Sequence, residues 1–281
     1  MNYRHAFHAG NFADVFKHLL LTRLLVYLAR KETPYRFIDT HAGHGFYDLA
    51  SEEAQRTGEW LDGIGRFLAA DAPLDVKRLV APYRAVVEPL FLAQPPHYPG
   101  SPALAAQLLR RQDKMIFCDA YPPAIKDLSL HLGRDPRVKV IGIDGYVGLN
   151  AFVPPVERRG LVLVDPPFES PGEFQRLGDC VEFAWRKWET GIYMVWFPIK
   201  DTLIVDTFLQ GFIDAGVKRL LLLEFHIGKA EPQGRLVANG VLIINPPYLI
   251  EAEARVLLSF LTDTLGAPGE AGFEVAMLAG E

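Results

Sequence analysis

Short apolar runs alternate with longer amphipathic stretches along most of this chain, and that rhythm predicts strands and helices in turn. Strand-like runs fall at 35–39 (YRFID), 114–118 (KMIFC), 138–143, 161–164 (LVLV), 192–197 (IYMVWF), 218–225 (KRLLLLEF) and 240–244 (GVLII). Helical stretches lie at 11–31, with Phe16, Leu20, Leu24 and Tyr27 on one face, and at 103–111, 122–132, 147–152, 173–188, 202–215 and 250–265. Asn11 is placed to cap the first of these, with Asp14 in its first turn. Strand and helix in alternation predict an α/β fold around a mostly parallel sheet of seven strands. The final two strands are joined through 230–239, too short for a helical crossover, so they should pair antiparallel at the sheet's edge.

The rhythm breaks at 46–98, where 53–69 and 74–92 are helical in composition and Pro95-Pro96 ends the second stretch. We read 1–281 as one domain, with 46–98 a small helical subdomain inserted into it and set over the ligand-binding face. The chain re-enters through Pro99-Gly100-Ser101-Pro102, with Ser101 as an N-cap or as a helix-start contact for an anion. The closing stretch after residue 265 reads as a tail.

Composition narrows the setting. The chain is 49% hydrophobic and 22% charged, ordinary for a globular protein. Its net charge of −5 argues against a protein that coats nucleic acid generally, so any RNA contact must rest on local positive charge. The two cysteines, Cys118 and Cys180, sit in apolar contexts and suit reduced thiols in the cytoplasm. The most apolar early stretch, 19–29, is interrupted by Arg23 and is too short for a membrane span. His5/His8 and His41/His44 are spaced by three but lack a thiolate or carboxylate at ligand spacing, so no metal is expected.

The candidate chemistry gathers where strands end. After 161–164 come Asp165-Pro166-Pro167-Phe168. The prolines cannot continue a ladder, so the chain turns out at the carboxyl edge of the sheet, where open α/β folds bind ligands. A carboxylate and the Pro166 carbonyl can accept both N–H bonds of an adenine amine, freeing its delocalised lone pair, and Phe168 offers a stacking face for a base drawn from its helix. This is the D-P-P-[YF] tetrapeptide of amino-methyltransferases that use S-adenosylmethionine; alone, it reads equally well as a strand end with a rigid turn. Asp39-Thr40-His41-Ala42-Gly43-His44-Gly45 follows the first strand as a nucleotide-binding turn that lacks the G-x-G-x-x-G of a pyrophosphate site. Asp119 ends the second strand, 80 residues beyond Asp39 where a simple β-α-β unit has about 20, which agrees with an insertion. Asp144-Gly145 ends the third, as a cofactor-adenine acceptor or a helix cap. Arg158-Arg159 stand before the tetrapeptide strand, touching phosphate or merely solvated. A second tetrapeptide, Asn245-Pro246-Pro247-Tyr248, follows the last strand, which puts it away from the glycine turn. Residues 1–10 mix Tyr3, Arg4, His5, Phe7 and His8, a set suited to stacking on and neutralising nucleic acid or to a frayed end.

Taken together, YRHAFHAGNFADVFKH, DTHAGHG, HYPGSP, RRGLVLVDPPF and GVLIINPPY, in that order, resemble the RlmJ-type 23S ribosomal RNA adenine-N6 methyltransferases over nearly the whole chain. The resemblance implies a Rossmann-like class I fold that uses S-adenosylmethionine and acts on 23S rRNA. It implies that His18, His41, Gly43, Ser101, Asp119, Asp144, Gly145 and Asp165 contact the cofactor and that Asp165, Pro166 and Phe168 carry catalysis. It further implies that Tyr3, Arg4 and Lys17 meet the RNA or close over the site. We expect a monomer. This chain departs from the family pattern at Asp119, where glutamate is expected, and at Phe168, which stands for tyrosine. Rival functions are an N6-adenine DNA methyltransferase, separable by matched RNA and DNA assays, a dinucleotide oxidoreductase, and a non-catalytic RNA-binding module.

Overall fold

The structure, a computed structural model, describes residues 4–229 and 235–280. Its centre is an eight-stranded sheet. The strands in chain order are β1 (Arg36–Asp39), then β4 (Lys114–Asp119), β5 (Val138–Gly142), β6 (Gly160–Val164), β7 (Ile192–Pro198), β8 (Leu220–His226), β9 (Ala238–Ile244) and β10 (Gly272–Ala279), with β2 (Phe46–Asp48) and β3 (His97–Pro99) forming a separate ladder. Across the large sheet the order is β10-β8-β9-β7-β6-β1-β4-β5. The five strands from β5 to β7 are parallel, while β9 runs antiparallel between β7 and β8. The order changes direction beside β1, with β4 to one side and β6 to the other, so the carboxyl ends of β1 and β6 flank the crevice where such sheets bind ligands.

Parallel strands need cover on both faces, and alternate residues of β6 supply it: Leu161 and Leu163 join one core, Val162 and Val164 the other. The first core is closed by α1 (Phe12–Ala29), α5 (Ser101–Leu108) and α10 (Ile250–Leu265), the second by α7 (Gly145–Phe152), α8 (Glu173–Lys187) and α9 (Thr202–Asp214). Helix α6 (Pro122–Leu132) packs between β4 and β5. Helix α1 is not the one-faced helix of the sequence pattern. Fifteen of its 18 residues are buried, because the sheet covers one side and the insertion with α10 the other. Arg23 is buried with them and makes a two-pronged ion pair to Glu253 of α10, at 2.8 and 3.0 Å.

Three expectations change. The insertion holds α2 (Glu52–Thr57), a π-helical turn at Leu61–Gly65, α3 (Arg66–Ala69) and α4 (Leu74–Phe91), but its two ends are strands, pairing as β2 and β3. It lies along α1 and α10, and near the ligand edge its residues Tyr47, Glu53, Thr57, Glu59 and Tyr98 meet His44, Arg4, Phe7, His8 and His18. The expected tail is β10, an eighth strand that covers the outer side of β8. Ser101 is the first residue of α5, and Gly100 occupies the cap position with no side chain to offer.

Candidate active site

The carboxyl ends of β1, β4, β5 and β6 place Asp39, Asp119, Asp144 and Asp165 along one edge. After β1 the chain must turn at once, and Gly43 makes this possible with φ +63°. A side chain there would also collide with the Tyr47 hydroxyl, 2.3 Å from the Cβ position. The Gly43 N–H donates to Asp119 Oδ2 at 2.8 Å, and the Tyr121 N–H to Oδ1 at 2.7 Å, so Asp119 shapes the turn. The Thr40 hydroxyl donates to the Leu163 carbonyl at 3.1 Å, which makes His41 Nδ1, 2.8 Å away, the donor to Thr40. Burial lowers the His41 pKa against four surrounding carboxylates, so the ring is neutral. Gly145 lets α7 approach this turn: a Cβ would stand 2.3 Å from the Thr40 carbonyl and 2.5 Å from His41 Nε2.

Asp39 is fully buried beneath the turn. One oxygen accepts weakly from the His41 N–H at 3.3 Å, while Oδ2 has no partner among the described residues. Burial pushes its pKa from 3.8 to about 7; the nearby Asp165 charge adds to this and the Ser101 hydroxyl opposes it. A buried carboxylate oxygen held without a partner at a ligand edge is costly unless a ligand donor meets it. Nothing in the length or spacing of the sequence marked Asp39 beyond its place in the turn.

On the other side of the crevice, Asp165 Oδ2 accepts from Lys17 Nζ at 2.5 Å, and the same ammonium pairs with Asp14 Oδ1 at 3.0 Å. Burial alone would lower the Lys17 pKa, but the two carboxylates reverse this and hold it above its ordinary value. Asp14 in turn accepts from His5 Nε2 and the Gly10 N–H, both at 2.9 Å; its pKa stays well below the usual range because His5 and Lys17 outweigh burial. Lys17, expected to meet the RNA or close over the site, is buried and bonded to the carboxylate of the tetrapeptide. Asn11 caps α1 through the Asp14 N–H at 3.0 Å, as its position predicts. Arg4 reaches Glu53 of α2 at 2.5 Å and so is held to the insertion, while Tyr3 lies outside the described residues. His18 is buried one residue along, its Nδ1 2.7 Å from the Tyr98 hydroxyl, and burial lowers its pKa to about 3.

Phe168 stands at φ +50°, a left-handed conformation that is strained for an aromatic residue and that turns its ring back toward the sheet. The ring lies 4.8 Å from Phe174 and 5.9 Å from Trp196. Trp196 carries no signal in the sequence, yet its ring also faces Lys17 Nζ at 5.7 Å, and its N–H is fixed by the buried Asn239 at 2.9 Å. Asp144 caps α7, accepting from the Tyr146 and Val147 N–H groups at 3.0 and 3.1 Å, and Arg176 holds its other oxygen at 3.0 Å. The cap reading is thus what the geometry displays.

The second tetrapeptide does not join this site. Strand β9 lies inside the sheet but runs against β7, so Asn245 leaves at the amino edge of the parallel strands, opposite Asp165. Arg158 and Arg159 also stand there; Arg159 donates to the Thr33 and Leu28 carbonyls at 2.8 and 2.5 Å.

Residues 32–277 match the family model described as ribosomal RNA large subunit methyltransferase D, RlmJ. The chain belongs to the RlmJ family. Curated relatives named ribosomal RNA large subunit methyltransferase J, from Haemophilus influenzae and Escherichia coli K12, are each 34% identical, with all of both chains covered. A crystal structure of a Legionella pneumophila protein is 33% identical and superposes with a TM-score of 0.87 over 96% of this chain and 98% of that one. As an RlmJ-family methyltransferase, the chain has the Rossmann-like fold its strand order displays. Among the described residues, no group of three or more metal-ligating side chains converges, and no helix is long and apolar enough to cross a membrane.

Proposed function

We propose that this chain methylates the N6 amine of an adenine in 23S ribosomal RNA, with S-adenosylmethionine as donor. The observation that carries the reading is the Asp165–Lys17 pair at 2.5 Å, set at the end of β6 directly beside the β1 turn. The unpartnered Asp39 oxygen supports a ligand with an ammonium group at that turn, and the residues present fit the cofactor. Asp39, His41, Gly43 and Ser101 would hold its amino-acid end, Asp119 its ribose, Asp144 and Gly145 its base, with His18 packed behind. When bound, the cofactor supplies a methyl group activated by a positively charged sulfur.

The chain's own contribution is alignment and hydrogen bonding. Lys17 takes Asp165 Oδ2 and fixes the carboxylate plane, leaving Oδ1 to accept one N–H of the adenine amine; the Pro166 carbonyl accepts the other. Both bonds draw the nitrogen toward tetrahedral geometry and release its lone pair. Phe168 and its neighbour Trp196 bound the space for the flat base. The amine needs no strong base beforehand, since its proton becomes acidic only after the new bond forms and then passes through the Asp165 carboxylate to solvent.

Such a substrate places the enzyme in the cytoplasm, and we take it to act as a monomer without metal, which gel filtration and chelator treatment check. Mapping N6-methyladenine in rRNA from cells with and without the protein tests the function. Loss of one methylated adenine is the expected result; unchanged rRNA, or activity on matched DNA alone, overturns it.

A further inference from the structure

The ligand edge is rich in carboxylates, which is an odd surface on which to hold a polyanion. Asp39, Asp119, Asp144, Asp165 and Glu173 all stand there; Asp165 is paired with Lys17 and Asp144 with Arg176, and Lys200 and Arg235 are the exposed cations beside them. The opposite, amino edge of the sheet has the reverse character. The loops entering the strands carry Lys31 before β1, Arg111 before β4, Arg134 before β5, Arg158 before β6, and Lys218 and Arg219 before β8, all exposed. Among the described residues, none of these six forms an ion pair, whereas Asp113, Asp135 and Glu157 of the same loops are already taken by Arg110, Arg137 and Arg36. Glu32 and Glu189 are the exposed acids of these loops. From β5 to β8 is six strand spacings, roughly 30 Å. Along this rim stands Tyr248 of the second tetrapeptide, 78% exposed, its ring edge-on to Tyr27 at 6.5 Å.

We infer that this rim is a second RNA contact, binding the phosphate backbone of a segment of the rRNA away from the target adenine. The inference rests on the function proposed above: an RNA laid across the catalytic edge extends beyond it, and six exposed cations with no ion pair among the described residues stand on the opposite rim. Cations on successive strand ends release counterions from a backbone laid across them, without reading sequence. Two motifs that the catalytic edge leaves unused, Arg158-Arg159 and Asn245-Pro246-Pro247-Tyr248, both fall on this rim.

The test is a quadruple charge reversal, K31E/R111E/R134E/K218E, with the neutral K31Q/R111Q/R134Q/K218Q beside it in case the reversal fails to fold. Filter binding and methylation would be measured on protein-free 23S rRNA and on the shortest fragment still methylated, across a salt series. The expected result is binding to the full rRNA weakened about tenfold or more, with a salt slope shallower by about 3. Turnover number, cofactor affinity and KM on the short fragment should not change. Equal binding of wild type and variant to the full rRNA overturns the inference, as does an equal loss on long and short RNA. If wild type binds rRNA without methylating it, the function proposed above is wrong, while the binding ratio still decides the role of the rim. A rim that instead captures an acidic protein would leave RNA binding unchanged, and so also counts against it.

Discussion

The chain carries two turns of one pattern, Asp165-Pro166-Pro167-Phe168 and Asn245-Pro246-Pro247-Tyr248, and the sheet sends them to opposite ends. At the first, the acid meets a buried ammonium and the aromatic ring folds inward under strain. At the second, the Asn245 amide donates to the Glu189 and Gly191 carbonyls, both at 2.7 Å, and the Pro246 carbonyl accepts from Arg219 at 3.1 Å. Its polar groups staple the loops together, and Tyr248 is left in solvent. Strand direction therefore decides which copy can do chemistry. Two stiff prolines make either copy a rigid exit from a strand; only a parallel strand beside β1 turns that exit into a site.

Removing the first residue of each turn should separate the two most strongly. D165A should lower the turnover number by roughly 10²–10³-fold, the loss typical of removing one preorganised polar contact to the reacting group. N245A should leave it unchanged. Methyl incorporation into rRNA measures both, and wild-type turnover in D165A would end the assignment.

A pH prediction distinguishes the two edges next. The folded-state pKa of Asp39 is raised from 3.8 to about 7, so between these values the unfolded chain has released a proton that the folded chain keeps. Stability from this group is present in acid and is lost as pH rises toward 7. D39N should therefore stabilise the free protein at neutral pH, by about 2–4 kcal/mol at most, and flatten its stability between pH 4 and 7. Urea unfolding at a series of pH values reads this directly, and a variant no more stable than wild type at pH 7 would show that the buried oxygen carries no strain. The same variant should bind the cofactor more weakly, the trade expected where a site is held ready for its ligand.

Much of this arrangement is visible in the chain because it is local. The apolar run at 161–164, the prolines after it and the glycine turn after β1 each declare a strand end by composition alone. What escapes are features fixed by distant partners. Lys17 reads as a residue that meets the RNA or closes over the site and Asp14 as part of a helix's first turn; that both join Asp165, 148 residues from Lys17, in one ion-pair cluster is set by the fold. Trp196 is one of six apolar residues in a row, and only β6 and β9 on either side give its ring a direction. Strand β10, with Ala and Gly where strands favour branched residues, exists because β8 would otherwise expose its edge. The β2–β3 ladder is three residues a side, too short for any period to show. The position of Asn245 depends on direction in a different way. Sequence order alone puts its strand at the outer edge; β9 is interior, and its antiparallel run removes the turn from the site.

The aromatic residues give a smaller contrast. F168A should raise KM for the short RNA about tenfold, since a stacked base is worth about 1–3 kcal/mol, with little effect on cofactor affinity. Y248A should leave both constants unchanged on that fragment. A larger KM effect from Tyr248 than from Phe168 would reverse the assignment of the two turns.

The mildest perturbation is the most pointed. N245D rewrites the second turn as Asp-Pro-Pro-Tyr, the tetrapeptide of the reaction, in a place where the structure allows no reaction. The new carboxylate would face the Glu189 and Gly191 carbonyls, which the amide now satisfies, so three acceptors would crowd together with no donor. A loss of about 1–3 kcal/mol in stability is expected, from unmade hydrogen bonds at a half-buried position. N245A leaves the carbonyls to water but puts alanine at φ +56°, so it should cost about as much. Thermal unfolding ranks the three proteins, and turnover in N245D should match wild type at a temperature where all are folded. A gain of methylation in N245D would mean that the tetrapeptide, and not its place beside the β1 turn, is sufficient for chemistry.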